Sequence, residues 1–339
     1  MDATYIDFEA LQTEPGSPAL LGILAVEGGK DHFEQVIVDS RLAPGRVASS
    51  HVRAATLADT VRHLLAGGRP LVSWSIFDRD VVEQSDLDAS LKAEWRARHV
   101  NALTTARRWR TKVHPGFKIT KADRRAAKHT LDQYAELAGY RQVAKLRGGE
   151  PARWIKHLRE QLASRTHYRR VTKLTKRHWH ALLDYNRHDL SALRHVYERA
   201  TFELQKWREY ENTDYFVFEP EGQPIRFRVG GRKPRLDALL ARYGATRWAF
   251  MTAWNPASRE LAAATNDSRQ DEMLTELTAR GYRCLRGEGR GADPSWPAEE
   301  SVLVLDIPPA MARTIGRRFG QLAIVTGRRG ASSKLVACL

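Results

Sequence analysis

Cysteine is nearly absent: 339 residues include only Cys284 and Cys338. Two thiols build neither a disulfide framework nor a cysteine-rich zinc site, so a reducing, cytoplasmic setting is expected. Long apolar runs are missing as well. None approaches the 18 residues of a membrane span, and the opening MDATYIDFEA lacks the basic and apolar regions of a secretory signal. No membrane anchorage is expected. Acidic residues are in deficit, 40 Asp and Glu against 55 Lys and Arg, for a net charge of +15. That balance favours a polyanionic partner, nucleic acid before a membrane surface. The chain shows no internal repeat and no low-complexity tail. Its 42% apolar content supports a buried core, and its length suits one large or two medium domains.

Short apolar runs predict strands at 4–9, 20–26 and 32–39, the last two joined by a Gly28-Gly29 turn that signals a hairpin. A helix over 51–66, a strand at 70–75 and a helix from about Phe77 follow. Strands first, then alternating helix and strand, predict a mixed α/β sheet. Trp109 to Lys118 reads as a loop, and helices are expected at 128–138 and 151–164. A long helix runs from 178 to about Glu209, with the apolar stripe Trp179, Leu182, Leu183, Leu190, Leu193 and Tyr197. Composition shifts near 211, dividing the chain into domains at 1–210 and 212–339. The second reads as a smaller α+β domain. It opens with a hairpin, followed by a helix at 235–242, a strand at 247–253 and a helix at 269–280. Strands at 281–286 and 301–306, a helix at 308–318, and strands at 321–326 and 334–338 complete it. GEGRGADP (287–294) reads as a loop. Asn255 before Pro256 reads as a helix cap, and Ser268 with Asp271 as a variant capping box.

Four acids, at three places in the chain, do not fit their surroundings. In TYIDFE the strand period puts Tyr5, Asp7 and Glu9 on one face and Ile6 and Phe8 on the other. Two neighbouring acids on an apolar strand repel each other unless solvated or bound to a cation. Asp78 follows a strand and an aromatic, with Asp80 competing for any role. Asp189 falls on the apolar stripe of the long helix, one turn beyond Tyr185. Asn186, Arg187 and His188 carry no assignment, except that the helix turns Arg187 away from that face.

Asp7-x-Glu9 on the first strand, Asp78 after a strand, and Tyr185-x-x-x-Asp189 on a late helix together resemble the DEDD exonuclease superfamily, tyrosine subgroup. The resemblance covers roughly residues 1–205. It implies an RNase-H-like fold and 3′–5′ removal of nucleoside 5′-monophosphates from DNA or RNA. It further implies two divalent cations, Mg²⁺ or Mn²⁺, held by Asp7, Glu9, Asp78 and Asp189, with Asp7 bridging them. Tyr185 would orient the attacking water. Endonucleolytic cleavage by the same fold and a catalytically silent nucleic-acid-binding adaptor stay open.

Nine Lys or Arg against one acid lie between Arg107 and Lys128, and RTHYRRVTKLTKRHWH (165–180) holds no acid. Basic residues along a path track phosphates, and interleaved aromatics offer stacking for unpaired bases, with single or double strand left open. The candidates are Arg107, Arg108, Trp109, Arg110, Lys112, Arg169, Arg170, Lys173, Lys176 and Arg177. In the second domain, Thr252, Asn255, Ser258, Asn266, Arg269, Trp296, Glu299, Ser301 and Gln321 resemble the pattern of an uncharacterised bacterial domain family. Those polar groups could line a pocket for a nucleotide, a phosphate or a strand end, or serve docking of a protein partner.

Overall fold

The computed structural model describes residues 2–11, 14, 16–45, 51–119, 129–141, 150–165, 167–219 and 222–338. The chain divides into two compact units. The first comprises residues 1–111 and 115–201, the second residues 112–114 and 202–339.

The first unit is a mixed α/β layer structure. Its strands are β1 (Ala3–Ala10), β2 (Pro18–Glu27), β3 (Lys30–Ile37), β4 (Val52–Ala54), β5 (Leu71–Ser73) and β6 (His99–Asn101). They form one sheet in the order β4-β3-β2-β1-β5-β6. β1, β2 and β3 are antiparallel neighbours, whereas β4, β5 and β6 join in parallel. The helices are α1 (Leu57–Ala66), α2 (Phe77–Glu83), α3 (Ala89–Arg98), α4 (Ala102–Lys112), α5 (Leu131–Leu137), α6 (Glu150–Arg165) and α7 (Lys173–Asn212), the unit ending within α7 at Thr201.

The two faces of β1 follow from its alternation. Ile6 and Phe8 pack with Val61, Leu64 and Leu65 of α1, Val81 and Val82 of α2, and Trp95 of α3. Tyr5 lies on the opposite face with Ala102 of α4 and Leu190 and Leu193 of α7. Helices therefore cover both faces. The stripe expected on the long helix is buried at Trp179, Leu182, Leu183, Leu190 and Leu193.

Two segments differ from expectation. Residues 52–54 are strand, not helix, because they pair with Gln35–Ile37 at the sheet edge. The helix begins only after Thr56, whose side chain caps the Asp59 N–H. The loop expected from Trp109 is helical to Lys112, since Ala102, Ala106 and Trp109 recur at helical spacing and are fully buried. The Pro115-Gly116 break ends it. Residues 120–128, which carry much of one basic run and the expected start of a helix at 128, lie outside the described residues.

The second unit is a seven-stranded antiparallel sheet, β13-β12-β9-β11-β10-β7-β8. Its strands are β7 (Asp214–Val217), β8 (Ile225–Phe227), β9 (Arg247–Met251), β10 (Cys284–Arg290), β11 (Glu299–Leu305), β12 (Ala323–Arg328) and β13 (Lys334–Ala337). Helix α8 (Pro234–Arg242) packs Leu236, Leu239 and Leu240 on one face. Helices α9 (Ala263–Ala279) and α10 (Pro309–Arg318) pack Met273, Leu277, Ala312 and Ile315 on the other. The loop expected from Gly287 is strand to Arg290. A Cβ at Gly287 would strike the Phe216 carbonyl and lie 2.7 Å from the Phe250 ring, so this glycine serves close packing. Ser268 and Asp271 lie inside α9, which starts at Ala263, so they cap nothing. Asn255 is left-handed (φ 44°) ahead of a 3₁₀ turn at Pro256–Ser258, and its side chain makes no cap.

A cluster of carboxylates on β1, α2 and α7

Asp7 and Glu9 stand two apart on β1, on the face turned to α7. Asp78 opens α2, directly after β5, and is buried. Its Oδ1 accepts a 2.8 Å hydrogen bond from the backbone N–H of Phe8, between the two β1 acids. Asp80 lies on the exposed side and pairs with Arg79 at 3.0 Å, which separates it from the cluster. Asp189 and Tyr185 lie one turn apart on α7.

These acids feel one another. Burial holds the Asp7 carboxyl well above its usual range, and the charges of Glu9, Asp189 and Asp78 push it further. Burial, with the charges of Asp189 and Asp78, raises Glu9 to about 8. Burial raises Asp78 to about 6 against the opposing hydrogen bonds from Phe8 and Ser73. The Tyr185 hydroxyl is pushed upward by burial, by the Asp189 charge and by its hydrogen bond to Asp189, so it stays protonated. Among the described residues no salt bridge reaches Asp7, Glu9 or Asp78. Buried carboxyls that repel one another are relieved by keeping a proton or by binding a cation.

The donor chemistry fits a hard divalent ion, since every side chain offers oxygen. The cage expected from four carboxylates is nevertheless not preformed: among the described residues no three His, Cys, Asp or Glu side chains close on one point. Mg²⁺ needs no closed protein cage, because it keeps several waters and takes protein carboxylates by ones and twos beside substrate phosphates.

One residue of the site carried no assignment in the sequence reading. Asn186 is fully buried and donates to the Asp7 carboxylate (2.8 Å) and to the Asp7 carbonyl (3.1 Å). Its own carbonyl accepts from Gln35 Nε2 at 3.0 Å, and the same nitrogen donates to the Leu183 carbonyl at 2.8 Å. Asp7, Gly22 and Gln35 are register partners across β1, β2 and β3. The Asn186 amide lies over Gly22, where a Cβ would overlap the amide oxygen and sit 2.8 Å from Leu190 Cδ1. The signals were present in the sequence: a glycine interrupting LLGILAV, and an asparagine three residues after Leu183 and four before Leu190. Arg187 does turn away and lies 4.9 Å from the Phe33 ring centre.

The basic candidates divide. Arg107 and Arg108 are exposed on α4, Arg169 and Arg170 on a 3₁₀ turn, and Lys173 and Arg177 at the start of α7. Lys176 lies over the Tyr168 ring and donates to the Arg169 carbonyl. Arg110 is tied to the Phe117 carbonyl and Thr111, and Lys112 pairs with Glu211 at 2.8 Å. Trp109 is fully buried and cannot stack on a base. Its place in the core predicts that Trp109→Ala lowers unfolding free energy by about 3–5 kcal/mol. Denaturant titration checks this; a loss below about 1 kcal/mol would remove Trp109 from the core.

In the second unit, Thr252, Asn255, Ser258, Trp296, Glu299, Ser301 and Gln321 line one cavity of about 460 Å³. Asn266 and Arg269 stand behind its wall instead. Asn266 exchanges hydrogen bonds with Asn255, accepting from its backbone N–H (3.0 Å) and donating to its side-chain oxygen (2.9 Å). Arg269 donates to the Ala253 and Phe319 carbonyls.

Residues 251–324 match a family described as "Protein of unknown function (DUF3293)". This covers Thr252, Asn255, Ser258, Trp296, Glu299, Ser301 and Gln321 of the cavity and assigns no activity. No curated protein and no solved structure matches the chain. No helix among the described residues is long and apolar enough to cross a membrane.

Proposed function

We propose that this protein is a metal-dependent nuclease of RNase-H-like architecture that releases nucleoside 5′-monophosphates from a 3′ end. The carrying observation is that Asp7, Glu9, Asp78 and Asp189, from three elements, lie within electrostatic reach: Glu9, Asp189 and Asp78 raise the proton affinity of Asp7, and Asp189 and Asp78 that of Glu9. An unbound cluster of this kind is costly, and two divalent cations offset that cost. Further support is the order and placement of the acids: a strand pair, a helix start after the adjacent strand, and a late helix. The net charge of +15 suits a phosphodiester polymer.

In this reading the four carboxylates hold Mg²⁺ or Mn²⁺, which when bound acidify the attacking water and stabilise the leaving 3′ oxygen. Asn186 fixes the Asp7 carboxylate. Tyr185 keeps its proton across the working pH range, so it orients a water by its hydroxyl and does not act as a base. The exposed arginines and lysines of α4 and the start of α7 hold phosphates.

The test is a set of end-labelled DNA and RNA oligonucleotides incubated with Mn²⁺ and resolved by length. A single-nucleotide ladder from the 3′ end is expected. Internal cuts alone would make the enzyme an endonuclease. No metal-dependent cleavage of any substrate would overturn the reading.

A further inference from the structure

The cavity of the second unit is built for a ligand of particular hydrogen-bonding character. Glu299 at the head of β11 is half-buried, and burial pushes its carboxyl upward. Its Oε1 accepts two hydrogen bonds, from Asn255 Nδ2 at 2.7 Å and Trp296 Nε1 at 3.1 Å. Its Oε2 accepts none among the described residues. Gln321 is also largely buried, and its Nε2 donates to the Trp254 carbonyl at 2.7 Å. Because that partner can only accept, the amide orientation is fixed, and the Gln321 Oε1 is left as a second acceptor with no partner among the described residues. Neither oxygen is sealed off as a buried orphan, and both residues line the cavity.

Considerable structure holds these acceptors in place. Asn255 adopts a left-handed backbone to present its amide to Glu299. Asn266 and Leu261 fix Asn255 in turn, each through the same side-chain oxygen, at 2.9 and 3.0 Å. The remaining walls include the aromatic rings of Trp296, Tyr215 and Phe250. Arg208 lies at the rim and is exposed, with no partner among the described residues.

A ligand for this site must be flat, apolar on its faces and rich in N–H donors on its edge. A full cation is disfavoured because Lys206 lines the same cavity and already acts on Glu299. We propose that the pocket binds a guanine nucleotide, the base edge donating its ring N–H and amino group to Glu299 and Gln321 and the phosphate meeting Arg208. Adenine would instead turn a ring-nitrogen lone pair toward a carboxylate. Guanine of this chemistry can arrive as a free mononucleotide or as an unstacked nucleotide of a strand. The proposal does not depend on the carboxylate cluster of the first unit.

The test uses the full chain in chelator, so that cleavage plays no part, and reads binding by calorimetry and by quenching of tryptophan fluorescence. The probes are guanosine, GMP, AMP, arginine, and short oligonucleotides ending in G or A. GMP is expected to bind at least 10-fold more tightly than AMP. Glu299→Gln should weaken GMP at least 10-fold. Arg208→Ala, at an exposed position, should weaken GMP about 3- to 10-fold and leave guanosine unchanged, a split that a folding defect would not produce. Binding of the G-ended oligonucleotide with silent GMP assigns the strand as the source, and GMP binding assigns the free nucleotide. Equal affinity for AMP, Glu299-dependent binding of arginine, or no binding of any guanine compound at millimolar concentration each overturns the proposal.

Discussion

Asp7→Asn and Asp189→Asn should each cut Mn²⁺-dependent nucleotide release by about 1,000-fold or more, the scale on which losing a preorganised charge costs catalysis. Asn186→Ala should cost about 10- to 100-fold, as removal of a group that orients a ligand does. Stability should move the other way. In chelator at pH 8, Asp7→Asn removes a buried carboxyl that ionises only at a cost in the folded chain and keeps an acceptor for Asn186. The metal-free variant should therefore melt at or above the temperature of the parent. An enzyme losing its activity while its fold firms up is the signature of a charge kept for function. Wild-type activity in either variant would sink the nuclease reading. A large fall in melting temperature would show instead that the acids hold the fold.

The second large effect concerns pH and metal together. Glu9 binds its proton with a value of about 8 in the folded chain against the usual 4.5, and Asp78 with about 6 against 3.8. The folded state therefore holds protons that the unfolded state has released. Stability then falls as pH rises from about 4 toward 8, opposite to the behaviour of a salt-bridged acid. Mn²⁺ or Mg²⁺ should reverse the trend, because the ions bind the deprotonated folded site. At 100 times the dissociation constant the gain is about 2.7 kcal/mol, which for a unit of this size raises melting by roughly 5–10 °C. Calorimetric melts at pH 5, 6, 7 and 8, with and without Mn²⁺, check it. A melting temperature indifferent to Mn²⁺ at pH 8 would argue against a cation site.

The sequence carried the strands of the first unit because β1, β2 and β3 are eight to ten residues long and hold apolar runs, the last two set apart by a Gly-Gly turn. It did not carry β4, whose three residues are strand only because β3 lies beside them. It did not carry α3 or β6 either: Trp95 is the only buried residue of α3, too little for a periodic signal. Trp109 misled in a different way, since an aromatic among arginines reads as a stacking surface until Ala102 and Ala106 are seen on the same helical face. The acids were legible as anomalies, each in the wrong place for its own element. Their common neighbourhood came only through the family resemblance, because proximity across 70 to 180 residues of chain leaves no local pattern. Asn186 shows this best. Its polar head sits on an apolar stripe, and its explanation lies in a missing side chain on β2.

That bare position at Gly22 ties chemistry to the order of assembly. Asp7, Gly22 and Gln35 come together through short loops between adjacent strands, a fast local event. Asn186 arrives from 151 residues beyond Gln35 and 179 beyond Asp7, so its contacts are of high contact order. Until α7 docks, Asp7 and Glu9 lie on a sheet without Asp189 facing them. The Asp189 share of the repulsion is therefore added only when α7 docks. A strand slipped by one residue would set Leu21 or Ile23 under the amide in place of Gly22, and α7 could not seat. The glycine thus acts as a proofreader of pairing: only a correctly threaded sheet can acquire the charged centre.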